Sequence, residues 1–200
     1  MIAAHHSMMG GKRLPYDAEV EYLESTGTQY INTGVVGSSD ITFDALVYRS
    51  TASTNECAIG SYGNSLRYWA SYFFGRNYYI GMGGQTNSVT LAPTGEWIQQ
   101  ELKLESRYFN LYANDTIVAS CRSSEFTTGE SIYIGGMNFS GSANYFFSGR
   151  FGRVRLYSDG TLDRDYIPVR VGTVGYLYDR VTRRLFGNAG TGVFGYGNDK

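Results

Sequence analysis

The side chains able to do chemistry are few in this sequence. Catalysis by a Ser-His-Asp or Cys-His set needs a histidine, and the two present, His5 and His6, stand near the N-terminus. Cys57 and Cys121 are the two cysteines. With histidines so placed they cannot build a zinc site, and the sequence leaves open whether they pair or stay as buried thiols. Glycoside hydrolysis needs two carboxylates, and Asp17-Ala18-Glu19-Val20-Glu21 offers alternating acids. In an extended chain, same-face residues lie about 6.5–7 Å apart at Cα, so the geometry is not absurd for that chemistry. The run sits at the first strand, however, and reads better as a solvated acidic edge that discourages sheet association. Gly190-Thr191-Gly192-Val193-Phe194-Gly195 matches G-x-G-x-x-G, but no helix can follow it to hold a pyrophosphate, so it reads as a turn. The sequons at Asn114 and Asn138 mean nothing outside a eukaryotic host.

Binding chemistry is better represented. Sugars are held by aromatic faces against C–H patches and by short polar side chains against hydroxyls. Arg67, Trp69, Tyr72, Tyr78 and Tyr79 fall in one short stretch, followed by an expected loop, Gly81-Met82-Gly83-Gly84-Gln85. Asn138, Asn144 and Tyr145 fall in a second polar-aromatic stretch, also read as a loop. Arg67, Trp69, Tyr78, Tyr79, Asn138, Asn144 and Tyr145 are therefore the candidate ligand-binding residues. Trp69 leads them, because alternation sets it opposite an apolar face of Leu66, Tyr68, Ala70, Tyr72 and Phe74. By the same parity Tyr72 is expected in the core. The sequence has 18 Tyr, more than one site could use, so most must pack.

The elements that position these residues are strands. With 26 Gly, 11 Phe, 3 Pro and 18% charged residues, the chain has ample apolar surface to fold and no collagen period. Asp40–Tyr48 alternates Ile41, Phe43, Ala45 and Val47 on one face. Trp97–Glu105 alternates Ile98, Leu102 and Leu104 against Gln99, Glu101, Lys103 and Glu105. Leu111–Ala113 and Thr116–Val118 flank Asn114-Asp115, a two-residue hairpin turn. Phe147–Tyr157, Ile167–Val171 and Tyr176–Tyr178 continue the pattern, and no amphipathic helix of three turns competes with it. Two units are expected: residues 1–14 as a flexible tail that could serve as an anchor, and residues 15–200 as one all-β domain, a single antiparallel β-sandwich whose first and last strands are neighbours.

Charge excludes some partners. The formal net charge is −1 and the pI about 6.1, which does not mark a nucleic-acid binder. Residues 1–148 carry 8 Lys/Arg and 13 Asp/Glu, a balance of −5; residues 149–200 carry 9 and 5, a balance of +4. The late arginines are expected to pair with acidic strands of the same domain. No run approaches the ~20 apolar residues of a membrane span.

Several segments together resemble the concanavalin A-like (laminin-G-like) jelly-roll domains of gut Bacteroidales and their phages. They are Glu19-Val20-Glu21-Tyr22-Leu23-Glu24-Ser25-Thr26-Gly27-Thr28-Gln29-Tyr30-Ile31-Asn32-Thr33-Gly34, a strand-opening Trp97, and Leu111-Tyr112-Ala113-Asn114-Asp115, with Asp115 where the family has Gly. Ser131–Gly135, Phe147–Tyr157, Asp165–Arg170, Gly175–Asp179 and Phe186–Gly192 continue the likeness over most of residues 19–195. The resemblance implies a concanavalin A-like jelly roll. The glucanase branch of that family carries E-x-D-x-E on a central strand; this chain does not, so no enzyme is expected. Related domains that hold calcium use Asp, Asn and carbonyl oxygens. Asp40, Asp44 and Asp115 are the candidates here, nothing clusters them, and no cofactor is expected.

The function so implied is non-catalytic recognition or adhesion. The expected partners are a cell-surface glycan or virion proteins, with a homo-oligomer, such as a trimer, as the expected assembly. The N-terminal residues do not read as a signal peptide. That favours a phage particle, which leaves its host by lysis, over the alternatives of a bacterial surface or extracellular protein. A purely structural virion protein that binds no sugar is the competing role.

Overall fold

A computed structural model describes residues 14–52, 55–63, 67–90 and 92–200. The expected tail, save Leu14, and Leu66 lie outside the described residues. No helix occurs among the described residues. The strands, in chain order, begin with β1 (Ala18–Glu19), β2 (Leu23–Thr26), β3 (Ile31–Ser38), β4 (Ile41–Arg49), β5 (Glu56–Gly63) and β6 (Arg67–Phe74). Next come β7 (Asn77–Gly83), β8 (Gln85–Thr90), β9 (Trp97–Glu105), β10 (Tyr108–Ala113), β11 (Thr116–Arg122) and β12 (Thr127–Ile134). The last are β13 (Met137–Phe139), β14 (Ser142–Asn144), β15 (Ser148–Ser158), β16 (Thr161–Val171), β17 (Val174–Asp179), β18 (Arg184–Phe186) and β19 (Gly195–Tyr196).

They form two sheets packed face to face, an all-β sandwich. One sheet runs β11-β10-β9-β4-β15-β16-β17-β18, with β1, β2 and β19 attached. The other runs β14-β13-β5-β6-β7-β8, with β12 and β3 attached. Pairing is antiparallel except between β13 and β5. The common core takes Phe43 and Val47 from β4, Ile98 and Leu102 from β9, and Phe151, Val154 and Leu156 from β15. From the facing sheet come Trp69, Phe73, Tyr78 and Ile80. Leu104 keeps the inward parity of β9 but lies beyond the core and is exposed. The Asn114-Asp115 turn forms as expected, both residues at positive φ (47° and 65°), between Ala113 and its partner Thr116.

The acidic first segment is not at an edge. β15 and β16 pair through Val154–Ser158 and then splay. Into the gap go β2, against Ser148–Phe151, and β1, against Val169 and Arg170. Val20 between them is fully buried and donates its N–H to the Pro168 carbonyl at 3.0 Å. The last strand closes on the first: β19 pairs with β2, and Lys200 N–H reaches the Glu19 carbonyl at 2.9 Å. Glu21 accepts the Asn198 backbone and side-chain N–H groups at 3.2 Å. These acids therefore tie the two ends of the domain together.

Most arginines of the last quarter pair inside the domain; exposed Arg183 and Arg184 form no ion pair among the described residues. Arg150 meets Glu24 at 2.9 Å, and Arg153 grips Asp165 through two N–H groups at 2.6 and 2.8 Å. Arg170 grips Asp199 in the same two-pronged way. Such pairs are individually weak at the surface; the first two join neighbouring strands of one sheet, and the third holds the last residues against β16.

Trp69 and Tyr78 require a correction. Both project into the core, and Trp69 is 0% exposed, its indole N–H donating to the Ile41 carbonyl at 2.9 Å. Tyr72 lies on the outer face, half buried, so the two faces of β6 are the reverse of the sequence expectation. The partner of the inner face explains it: Ser71, also buried, donates its hydroxyl to Gln100 Oε1 of the other sheet at 3.0 Å. Trp69→Ala should lower unfolding free energy by about 3–5 kcal/mol, since it empties a packed site and leaves a buried carbonyl unpaired. The midpoint of a denaturant titration measures this; a surface role for Trp69 would leave the midpoint unchanged.

Candidate functional site

The outer face of the β5-β6-β7 sheet is built from rows of side chains. Gly60, Ala70 and Gly81 are aligned across three strands and form a row of small residues. On one side of it lie Tyr62 and Tyr68, and on the other Tyr72 and Tyr79. The small row is needed for the large ones: a Cβ at Gly81 would stand 2.8 Å from Tyr68 Cβ, and one at Gly60 would meet Cys57 Sγ at 2.6 Å. Tyr68 and Tyr72 are four residues apart on a strand, which sets their Cα atoms about 13 Å apart. Their ring centroids are nevertheless 6.5 Å apart, so both rings lean over Ala70. Tyr72 also stacks on Tyr79 at 5.0 Å, and Tyr62 on Phe139 at 4.3 Å.

The expected loop at 138–145 is a hairpin, and it makes the wall of the site. β13 adds in parallel to β5 and returns as β14, through a turn at Ser140 and Gly141 with positive φ at both. Asn138 is buried. Its amide donates to the Ser131 carbonyl at 2.9 Å and its side-chain oxygen accepts the Gly141 N–H at 2.9 Å. It therefore shapes the turn and cannot reach a ligand, which corrects the sequence expectation. Asn144 is exposed at the end of β14. Tyr145 follows it at φ 51°, with its carbonyl fixed by the Cys57 N–H at 2.7 Å.

Between this hairpin and β6 lies a pocket of about 180 Å³. Its sides are Tyr68 and Tyr72 opposite Met137, Phe139 and Tyr145; Phe74 and exposed Asn55 also border it, and buried Glu56 and Phe73 lie beneath. Three of its rings reach solvent: Phe74 is 55% exposed, Tyr145 44% and Phe139 38%. Burial raises the Tyr72 hydroxyl well above the usual phenol range and raises Tyr68 as well, aided by Tyr62 beside it. Both hydroxyls are therefore neutral near pH 7, able to donate and to accept.

Glu56 borders the pocket through the start of β5, with its carboxylate turned to the inner face beside Phe73. It is buried with Arg49, whose Nε meets Glu56 Oε2 at 2.8 Å, and its other oxygen accepts the Ser148 N–H at 3.2 Å. The Arg49 guanidinium lies 4.5 Å from the centre of the Phe73 ring.

Of the residues expected to bind, the structure brings Tyr145 to the pocket, with Asn144 beside it in sequence. Tyr79 lies behind Tyr72, and Arg67 stands apart, with its guanidinium beside Gly84. The expected loop at Gly81–Gln85 is a tight turn at Gly83-Gly84 joining β7 to β8. The sequence reading missed Phe74, Phe139, Met137 and Glu56; the aligned glycines and alanine are the signal that could have found the face. Asp44 bonds Arg155 and Gln99, Asp115 occupies its hairpin turn, and no three acidic, His or Cys side chains gather into a metal site among the described residues. Cys57 and Cys121 are both free and buried.

A second depression, on the other sheet, lies between Glu21, Tyr22, Leu46, Trp97 and Lys200. The face of Tyr22 there is taken by the Arg150 guanidinium at 4.5 Å, which leaves the pocket between β6 and the β13–β14 hairpin as the better aromatic site.

No family model matches this sequence, and no curated protein does. Solved structures do share its shape. A candidate carbohydrate-binding protein from Bacteroides ovatus aligns with TM-score 0.65 and 16% identity over 90% of this chain; the alignment spans 61% of that longer protein. The CBM40 of Ruminococcus gnavus IT-sialidase, bound to α2,3-sialyllactose, aligns with TM-score 0.52 and 15% identity over 68% of this chain and 89% of its own. The heptameric SAP-like pentraxin of Limulus polyphemus aligns with TM-score 0.55 and 10% identity over 92% and 96%. The fold is a lectin-like β-sandwich. At these identities the likeness concerns the fold alone.

Two variants test the construction of the site. A non-glycine residue in the left-handed region costs about 1–2 kcal/mol, and glycine's extra chain entropy offsets about 0.5–1 of that. Tyr145→Gly should therefore leave stability within about 1 kcal/mol of the parent while removing one wall of the pocket. Glu56→Gln should cost about 3–5 kcal/mol, because it removes one charge of a buried ion pair. Denaturant titration reads both, and a Glu56→Gln protein of parental stability would show that the pair is not structural.

Proposed function

We propose that this chain is a non-catalytic glycan-recognition module that binds through the pocket between β6 and the β13–β14 hairpin. The observation that carries the reading is the ring of exposed Phe74, Phe139 and Tyr145 around neutral tyrosine hydroxyls. Rigid aromatic faces suit the C–H side of a sugar, and the phenols suit its hydroxyls. The carbohydrate-binding neighbours on the same fold support it. Glycan hydrolysis would need two carboxylates facing the sugar. Glu56 is the acid among the lining residues, and its carboxylate turns to the inner face, with both oxygens engaged by Arg49 and Ser148.

We place this module on a phage particle as an adhesion component, in a symmetric oligomer. The support is the likeness of the Glu19–Gly34 segment to domains of Bacteroidales phages, and the genes beside this one test the setting directly.

The binding reading predicts that a glycan array finds a ligand and that the ligand is not cleaved. Phe74→Ala should weaken titrated affinity about five- to thirtyfold, the equivalent of about 1–2 kcal/mol. Its side chain is mostly exposed, so the fold should be retained. An array on which no glycan binds would favour the structural role instead.

A further inference from the structure

The pocket's charge points to the class of glycan it accepts. Among the described residues no Lys or Arg lines it. The cation nearest to it in the chain of contacts, Arg49, is buried and bound to Glu56, with its guanidinium against Phe73. Arg67 stands beside Gly84, and Arg76 borders a separate depression with Ala92 and Pro93. Glu56 borders the pocket from below, but its carboxylate turns to the inner face with its strand partner Phe73 and is held there by Arg49, so among the described residues no unpaired charge faces a ligand.

We infer that the pocket selects neutral pyranose rings and rejects sugars that carry a carboxylate, such as sialic and uronic acids. The inference rests on the glycan-binding reading and narrows it. An acidic sugar entering here would lose water from its carboxylate without gaining a cation, in a partly dry site lined by rings and phenols. A neutral ring meets no such cost. Its C–H face lies against Phe74, Phe139 or Tyr145, and its hydroxyls exchange hydrogen bonds with Tyr68 and Tyr72, which burial keeps protonated. The two phenols can donate and accept, as sugar hydroxyls do.

The test is an array of neutral hexose oligosaccharides beside the same cores capped with sialic acid or carrying uronic acid, followed by titration of matched pairs. We expect the neutral member of each pair to bind at least about tenfold more tightly, a difference of about 1.4 kcal/mol. That affinity should hold from low salt to about 0.5 M NaCl, because no exposed ion pair is made. Tyr145→Gly should lose at least about tenfold of it. Acidic members that bind as well as neutral ones, or affinity that falls with salt, would overturn the inference and leave glycan binding standing. Unchanged neutral binding by Tyr145→Gly would overturn it by placing the ligand elsewhere. No binding to any glycan would remove the functional reading and the inference with it.

Discussion

An arginine buried without exposure to water requires a carboxylate, and the position of that carboxylate organises this molecule. Arg49 ends β4 on one sheet and Glu56 begins β5 on the other, so their ion pair spans the sandwich at the point where the chain crosses. Glu56 also accepts the first N–H of β15. The next residue, Cys57, donates its N–H to the Tyr145 carbonyl and so fixes the hairpin that walls the pocket. Removing one member of a buried ion pair is far more costly than the pair is stabilising. The same contact that joins the sheets thus sets one inner surface of the site and the position of its most exposed tyrosine.

The aromatic residues divide by sheet face into two populations with different work. The inner set, Trp69, Phe73, Tyr78, Phe147 and Phe151, fills the space between sheets. Trp69 finds a backbone carbonyl for its N–H, as a buried indole must. The outer set packs side by side instead. Tyr72 and Tyr79 lie within 17° of parallel, and Tyr62 and Phe139 within 15°. Stacking covers the broad faces of these rings with each other and leaves their edges to water. That lets a sheet face carry many aromatics without an open apolar patch. Only where the stack ends, at Phe74, Phe139 and Tyr145, does ring surface remain for a ligand.

Much of the fold was legible in the sequence, because burial on one side writes a period of two. β4 and β9 alternate clearly, β15 does so on either side of a bulge at Gly152-Arg153, and Asn114-Asp115 matches the turn geometry it adopts. The closure of the last strand on the first could be anticipated from the architecture, but the wedge of β1 and β2 between β15 and β16 could not. It depends on where two strands splay, which is a long-range property. The site was less legible. In β6 both faces are aromatic, so alternation separates Trp69 from Tyr72 without saying which faces inward. Hydrophobicity favoured the wrong sign, since Ser71 sits on the inner face, satisfied by Gln100. Gly81 to Gln85 reads as a flexible loop by composition, yet two of its glycines make a turn and Gly81 gives way to Tyr68. Phe139 and Glu56 join the site through pairing and burial that no local pattern records.

Tyr145 is the place where local and global preferences disagree. A tyrosine at φ 51° is held in a conformation that glycine would adopt without strain. The fold needs the backbone of this residue, through the bond from Cys57, and makes little use of its ring, which is 44% exposed. A strained backbone carrying an exposed side chain is not explained by packing. It is explained if the ring has work at the surface, since strain persists at sites where the side chain is required. The neighbouring turn residues, Ser140 and Gly141, share the positive φ but project no ring into the pocket. That contrast separates ordinary turn geometry from a position where, among the described residues, the chain accepts strain to hold an aromatic wall.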